Sequence, residues 1–408
     1  QIANVKHFTT FAAIANGGEN EAKAVLTADI DLAGTTWAPI GTPDVPFKGT
    51  FDGQGKAITN FAGETDAAVG KYGLFGNIEG ATVGNFSIAG TLTVPDGAAN
   101  GSGVVGWAVS STISNIYSTL VIEAGDNGAK HVGGIVGSAQ SGANTITNCT
   151  FAGSLTVGTG THDCFGGIAG YISSDAVTNC INLGTIDYYT ENCYAGGIVG
   201  YINHANPTVA NCLGIGAVTY KGEGTASWGG AIIGRHRKDA AKVENNYWLT
   251  GSAKAASSDK VLTAPAATEV TAEQLASGEI AYKLNGDQSE IAFYQTIGTD
   301  EYPTLSSESK QVYVEASLYC DGVTPKGETT YSNNSEATVT IDSHDFVDGF
   351  CTNCGNIDET YMVANAEGYF EIGTPEQLVW FASYVNNVNM AANAVLTADI
   401  TLVDDWNS

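Results

Sequence analysis

An all-β chain wound as a right-handed parallel β-helix (solenoid), with short capping helices and a small β-rich module after it, is predicted by three observations. A glycine motif returns six times, an asparagine motif follows each copy in the same phase, and the runs between them are too short for helices. Aligned on their last glycine, the copies GLFG, GVVG, GGIVG, GGIAG, GGIVG and GGAIIG fall at Gly76, Gly106, Gly137, Gly170, Gly200 and Gly234, with spacings of 30, 31, 33, 30 and 34. Each intervening run has four to six residues, β-branched or alternating, bounded by Gly, Asn or Asp, which is the pattern of short strands between turns. A unit this small with no helix cannot bury its own apolar face, so successive units must stack. The economical stack is one coil per repeat, about 4.8 Å above the last, and the crossover rule favours the right hand.

The elements follow in chain order. Residues 5–16, VKHFTTFAAIAN, place Phe8, Phe11, Ala12 and Ile14 as a short amphipathic helix would, covering the open edge of the first coil. Asn85, Asn115, Asn148, Asn179, Asn211 and Asn246 are expected at one coil position. Asn tolerates left-handed backbone angles and its amide can bond the copy above and below, so a corner ladder results. The paired glycines are expected where backbones bend tightly or approach closely. Thr271 with Gln274 three residues later forms a capping box, predicting a helix over 271–285, and the β-helix is expected to close by residue 308. Residues 309–360 change character and form a small Cys/His module. Residues 361–408 begin a second copy of the solenoid, because VLTADI at 395–400 repeats 25–30 at an offset of 370.

Composition narrows the function. Charged residues are 14%, glycine supplies 51 of 408 positions, and 16 Lys and Arg against 43 Asp and Glu leave a net charge of −27. Such a surface repels phosphate backbones and anionic membranes, which excludes nucleic acid as a partner. No run reaches the ~20 apolar residues of a membrane span, and the first residues lack the pattern of a signal peptide. The balance is that of an exported bacterial surface protein, with any signal or anchor expected outside this stretch.

GLFG at 73–76 with its GGIVG and GGIAG relatives, preceded by PFKGTFDGQGKAITNF, resembles the GLUG repeat of bacterial surface proteins. The resemblance covers about residues 20–250, and the segments around 271–305 and 343–355 look like parts that accompany such repeats. It implies an extracellular, right-handed β-helical region of a large cell-surface or adhesin-like protein, and it supplies no catalytic residue set. Some immunoglobulin A peptidases carry such repeats beside a zinc protease domain, but none of the six histidines here begins an HExxH.

Three groups of residues carry candidate chemistry. Cys320, His344, Cys351 and Cys354 offer the thiolates and imidazole of a tetrahedral structural zinc site, with a disulfide, a redox pair or free thiols as alternatives. Trp107, Tyr171 and Tyr201 follow the repeat glycine, with Ser138 and Arg235 at the same position, and form an aromatic column able to stack on sugar rings or to pack under loops. Cys149, Cys180 and Cys212 share a ladder position and read as buried thiols or as inter-coil disulfides. Asp163, Asp175, Asp187 and Glu191 show no paired-carboxylate motif, and Asp29, Asp31 and Asp52 match no dedicated calcium loop. Arg235 and Arg237, with His204 and His236, form a basic cluster near the solenoid's end.

The expected function is a noncatalytic extracellular surface protein, a rigid stalk or adhesin. The alternatives are a glycan-binding or polysaccharide-degrading β-helix protein and a subunit of an end-to-end filament. The expected partners are host or microbial glycans, surface proteins, or other copies meeting at module ends.

Overall fold

The computed structural model describes residues 1–63, 71–95, 97, 100–126, 130–160, 163–191, 193–203, 206–223, 228–237, 242–257 and 266–402. The chain divides into two compact units, Gln1–Val312 and Tyr313–Ser408.

The first unit is the expected parallel β-solenoid. On one face, strands from Lys71–Tyr72 to Trp228–Gly230 form a six-stranded sheet, and on the next, strands from Phe75–Glu79 to Ile233–His236 form another. The remaining strands join one large sheet, and successive coils pair in parallel, as in Ile113↔Ile146 and Ile146↔Val177. Those three side chains and Val209 above them are fully buried, a branched-aliphatic ladder along the interior. Burying each contributes on the order of 1.5–3 kcal/mol, which is why a repeat with so few charges stacks.

The glycine motif spans the corner between the two six-stranded sheets. Tyr194–Gly196 ends one strand and Val199–Ile202 begins the next. A Cβ on Gly197 would lie 2.0 Å from the Ala231 carbonyl oxygen, and one on Gly200 would lie 2.5 Å from the Phe165 nitrogen. Coil-to-coil contact at the corner and sheet-to-sheet contact behind it therefore both require glycine.

Helix α1, Val5–Asn16, is capped by the Asn4 side chain accepting from the His7 N–H at 3.0 Å. Its Phe8 is fully buried against Trp37 and Phe51, ring centroids 4.6 and 5.6 Å away, sealing the first coil. At the far end the expected single helix is two, α2 (Ala272–Ala276) and α3 (Glu279–Asn285). Gly278 between them has φ +90°, a left-handed break, and a Cβ there would meet Ile297 at 2.6 Å. The Thr271–Gln274 capping box is present.

The asparagine ladder is also present, with one change of register. Asn85, Asn115, Asn148, Asn179 and Asn211 all have positive φ, but the sixth position is taken by Asn245 rather than Asn246. Asn246 turns inward, accepting from the Cys212 N–H at 2.9 Å and donating to the Val209 carbonyl at 2.8 Å.

In the second unit Tyr313–Leu318 pairs antiparallel with Thr330–Ser332 and parallel with Val339–Ile341. A hairpin then joins Phe346–Val347 to Phe350–Cys351 through Asp348 and Gly349, both at positive φ, as a two-residue I′ turn requires. Helix α4, Pro375–Asn387, is capped by Thr374 and places buried Trp380 against Phe370 and Tyr384. Phe350 and Ile357 pack on the same core, tying the hairpin module to the segment after it. Pairing of Ile372 with Leu396 reproduces the Ile2–Leu26 bridge of the first unit at the same offset of 370. No helix among the described residues is long and apolar enough to cross a membrane.

Candidate functional site

The turn after strand Tyr313–Leu318 and the hairpin ending at Cys351 bring Cys320, His344, Cys351 and Cys354 together, every ligand atom within 4.8 Å of the others. The Cys320 and Cys351 sulfurs are 3.3 Å apart and the Cys354 sulfur lies 3.4 Å from His344 Nδ1. A tetrahedron of Zn–S bonds near 2.3 Å has S···S edges of about 3.8 Å, whereas a disulfide needs about 2.05 Å. The cluster therefore has metal-site rather than disulfide dimensions. The knuckle is held locally: the Gly355 N–H donates to the Cys351 carbonyl, and Gly355 has φ +74°. Burial opposes ionisation of Cys351, but N–H groups of Cys354 and Asn353, with His344 and Cys320, bring its thiol down to about 5. Burial and the neighbouring Cys351 push Cys320 up to about 12. The lowering at Cys351 favours its thiolate, the form a metal binds. The set can hold a metal ion through all four side chains.

A second trio, His131, Asp163 and Cys164, also clusters. Here burial lowers the imidazole to about 4 despite Asp163, and burial followed by Asp163 raises the Cys164 thiol well above its ordinary value. A thiol held protonated is not an activated nucleophile, whereas the neutral imidazole keeps a lone pair that a metal could use.

The aromatic column exists in register: Trp107↔Ser138↔Tyr171↔Tyr201↔Arg235 occupy one row across five coils. It is not a continuous platform, because Ser138 is 0% exposed and Tyr171 only 9%. The Asn203 amide donates to the Tyr171 hydroxyl at 2.6 Å. The rings gather instead at the solenoid's later coils. Arg235 lies 4.8 Å from the Trp228 ring, 4.9 Å from Tyr194 and 5.9 Å from Tyr201, and it donates to the Tyr194 hydroxyl. Trp228 and Tyr194 escaped the sequence reading although a signal was there: HVGG, CFGG, YAGG and WGGA align His131, Cys164, Tyr194 and Trp228 in the adjacent row.

The other residues singled out serve structure. Cys149, Cys180 and Cys212 are buried free thiols. Asp175 caps a turn through the N–H groups of Ser173 and Asn144, at 2.7 and 3.0 Å. The carboxylates of Asp29, Asp31 and Asp52 each accept backbone hydrogen bonds, from Ala57, Ala33 and Gln54. His236 is fully buried, and His204 lies outside the described residues.

No family model and no curated protein matches the chain. Among solved structures, it is similar to one described as "a putative immunoglobulin A1 protease from Bacteroides ovatus", at TM-score 0.47 and 19% identity, over 75% of this chain and 91% of that one. A second, named "IgA1 Protease", matches at TM-score 0.41 and 19% identity, over 61% of this chain and 21% of that one. The expectation of a noncatalytic protein is corrected here: both structures carry the names of proteases, and that exclusion is withdrawn. Likeness at this level transfers no catalytic residue.

Proposed function

We propose that the solenoid is a carbohydrate-recognition module of an extracellular bacterial protein of the GLUG-repeat kind, and that Cys320, His344, Cys351 and Cys354 hold a structural zinc ion in the second unit. The carrying observation for the first reading is the half-buried Arg235 guanidinium held among Trp228, Tyr194 and Tyr201. An ordered cluster of rings with a fixed donor fork offers flat apolar faces for sugar rings and hydrogen bonds for their hydroxyls.

The test screens the purified chain against immobilised polysaccharides, reading both retention and release of soluble oligosaccharide. Retention that falls at least tenfold in Trp228→Ala and Arg235→Ala supports the reading. Equal retention by both variants overturns it, and released product would assign cleavage to the chain as well. Four coordinated side chains leave zinc no open position, so its role is to bind the knuckle together.

A further inference from the structure

A cleft of about 800 Å³ lies elsewhere on the first unit, between the asparagine ladder and the segment 291–307 that folds back over it. Its floor crosses five successive coils, from the one carrying Asp52 through Ser87, Tyr117 and Thr150 to Ile181, which pair in register. At about 4.8 Å per coil this is roughly 19 Å, a length for an extended chain rather than a single small molecule.

The two sides are fixed independently. On the floor, Asn115 donates to Asn85 at 2.8 Å and Asn85 to Asp52 at 3.0 Å, an amide chain ending on a carboxylate. Later rungs of the same ladder hold the opposite wall in place. Asn179 donates to Gln288 at 2.9 Å and Asn245 to the Lys283 carbonyl at 2.8 Å. The wall is braced by reciprocal backbone bonds between Tyr294 and Thr304 and by the Asn285 side chain on Ala292 and Phe293. One ladder thus anchors the cap with some rungs and lines an open cleft with others.

We infer that this cleft binds an extended neutral oligosaccharide. Tyr117, 46% exposed, with Tyr294 and Tyr302 supplies ring faces for the apolar sides of sugars. Side-chain amides and hydroxyls of Asn85, Asn115, Thr150 and Ser306 supply directed hydrogen bonds. Asp52 is the one charged lining residue. With no cation opposite it, in a chain of net charge −27, the cleft disfavours uronates, sulfated glycans and phosphates. The floor backbone is already paired coil to coil, so a peptide could not be added as a further strand.

The inference rests on the carbohydrate reading for the class of ligand and stands apart from it in place. Calorimetry with the full chain against cello-, xylo-, manno- and chitohexaose compares wild type, Tyr117→Ala, Tyr117→Phe and Trp228→Ala. The expected result is binding of at least one hexasaccharide that weakens tenfold or more in Tyr117→Ala, stays within twofold in Tyr117→Phe, and persists in Trp228→Ala. Loss in Trp228→Ala alone overturns the cleft and leaves the carbohydrate reading standing. Absence of binding across the panel overturns the cleft as a site for these neutral sugars, and retention of polysaccharide by the Arg235 cluster in the immobilised screen then decides the other reading separately. Binding of a peptide pool at the cleft, blocked by Tyr117→Ala, with no hexasaccharide bound, overturns the ligand class.

Discussion

His131 shows how a single buried side chain turns solenoid packing into pH dependence. Its ring lies 4.6 Å from that of Tyr171, Nδ1 is 2.8 Å from the Asn100 side-chain oxygen, and Nε2 is 3.9 Å from Asp163. Burial outweighs that carboxylate and the imidazole falls from 6.5 to about 4. The sign follows from linkage: the folded state binds the proton more weakly than the unfolded state, so stability is lost as pH falls from about 6.5 through 4. A shift of this size corresponds to up to about 3 kcal/mol. Replacement by glutamine, His131→Gln, removes the titration and is expected to flatten the acid side of the denaturation profile between pH 6.5 and 4. Urea midpoints measured at half-unit intervals check this, and an unchanged slope would count against it.

At the scale of the element, the ladder asparagines are held by conformation as much as by hydrogen bonds. Asn211 has φ +55° and accepts from Asn245 at 2.8 Å. Alanine there loses both the tolerance for left-handed angles and the acceptor, so Asn211→Ala is expected to cost about 2–3 kcal/mol. Glycine restores the angle alone, so Asn211→Gly is expected to cost about 1 kcal/mol less than alanine. Equal losses in chemical denaturation would show that φ is not what selects the residue. The same physics explains which parts were legible in the sequence. Five ladder positions could be read because a left-handed corner repeated every coil leaves little besides asparagine or glycine. VENNY offers two adjacent asparagines, and the choice of Asn245 depends on Asn246 finding inward partners at Cys212 and Val209, which no periodicity records. The break at Gly278 was hidden for a related reason: a capping box signals where a helix starts, while the contact with Ile297 that accompanies its early end is tertiary.

Across the whole molecule, the solenoid was readable because its contacts recur at one coil's spacing, whereas the cleft joins a periodic floor to a wall that lies outside the repeat. Tyr117 belongs to the third coil of the floor and Tyr302 to the wall, and only the folded chain places them on one opening. The Cys/His cluster is intermediate: CxxC is visible locally, but Cys320 joins it across 31 residues. Each unit has its own core, around Ile113, Ile146 and Val177 in Gln1–Val312 and around Trp380 in Tyr313–Ser408. Separate cores predict separate cooperative transitions. Metal bound at the cluster stabilises only the unit that contains it, by mass action on that unit's folding. Calorimetry of the zinc-loaded chain is therefore expected to show two transitions. A chelator should lower one by several degrees and leave the other within a degree. A chain ending at Val312 should retain the chelator-insensitive transition, and Cys351→Ser in the full chain should lower the sensitive one without added chelator. A single transition that moves as a whole with zinc removal would show the two units to fold as one.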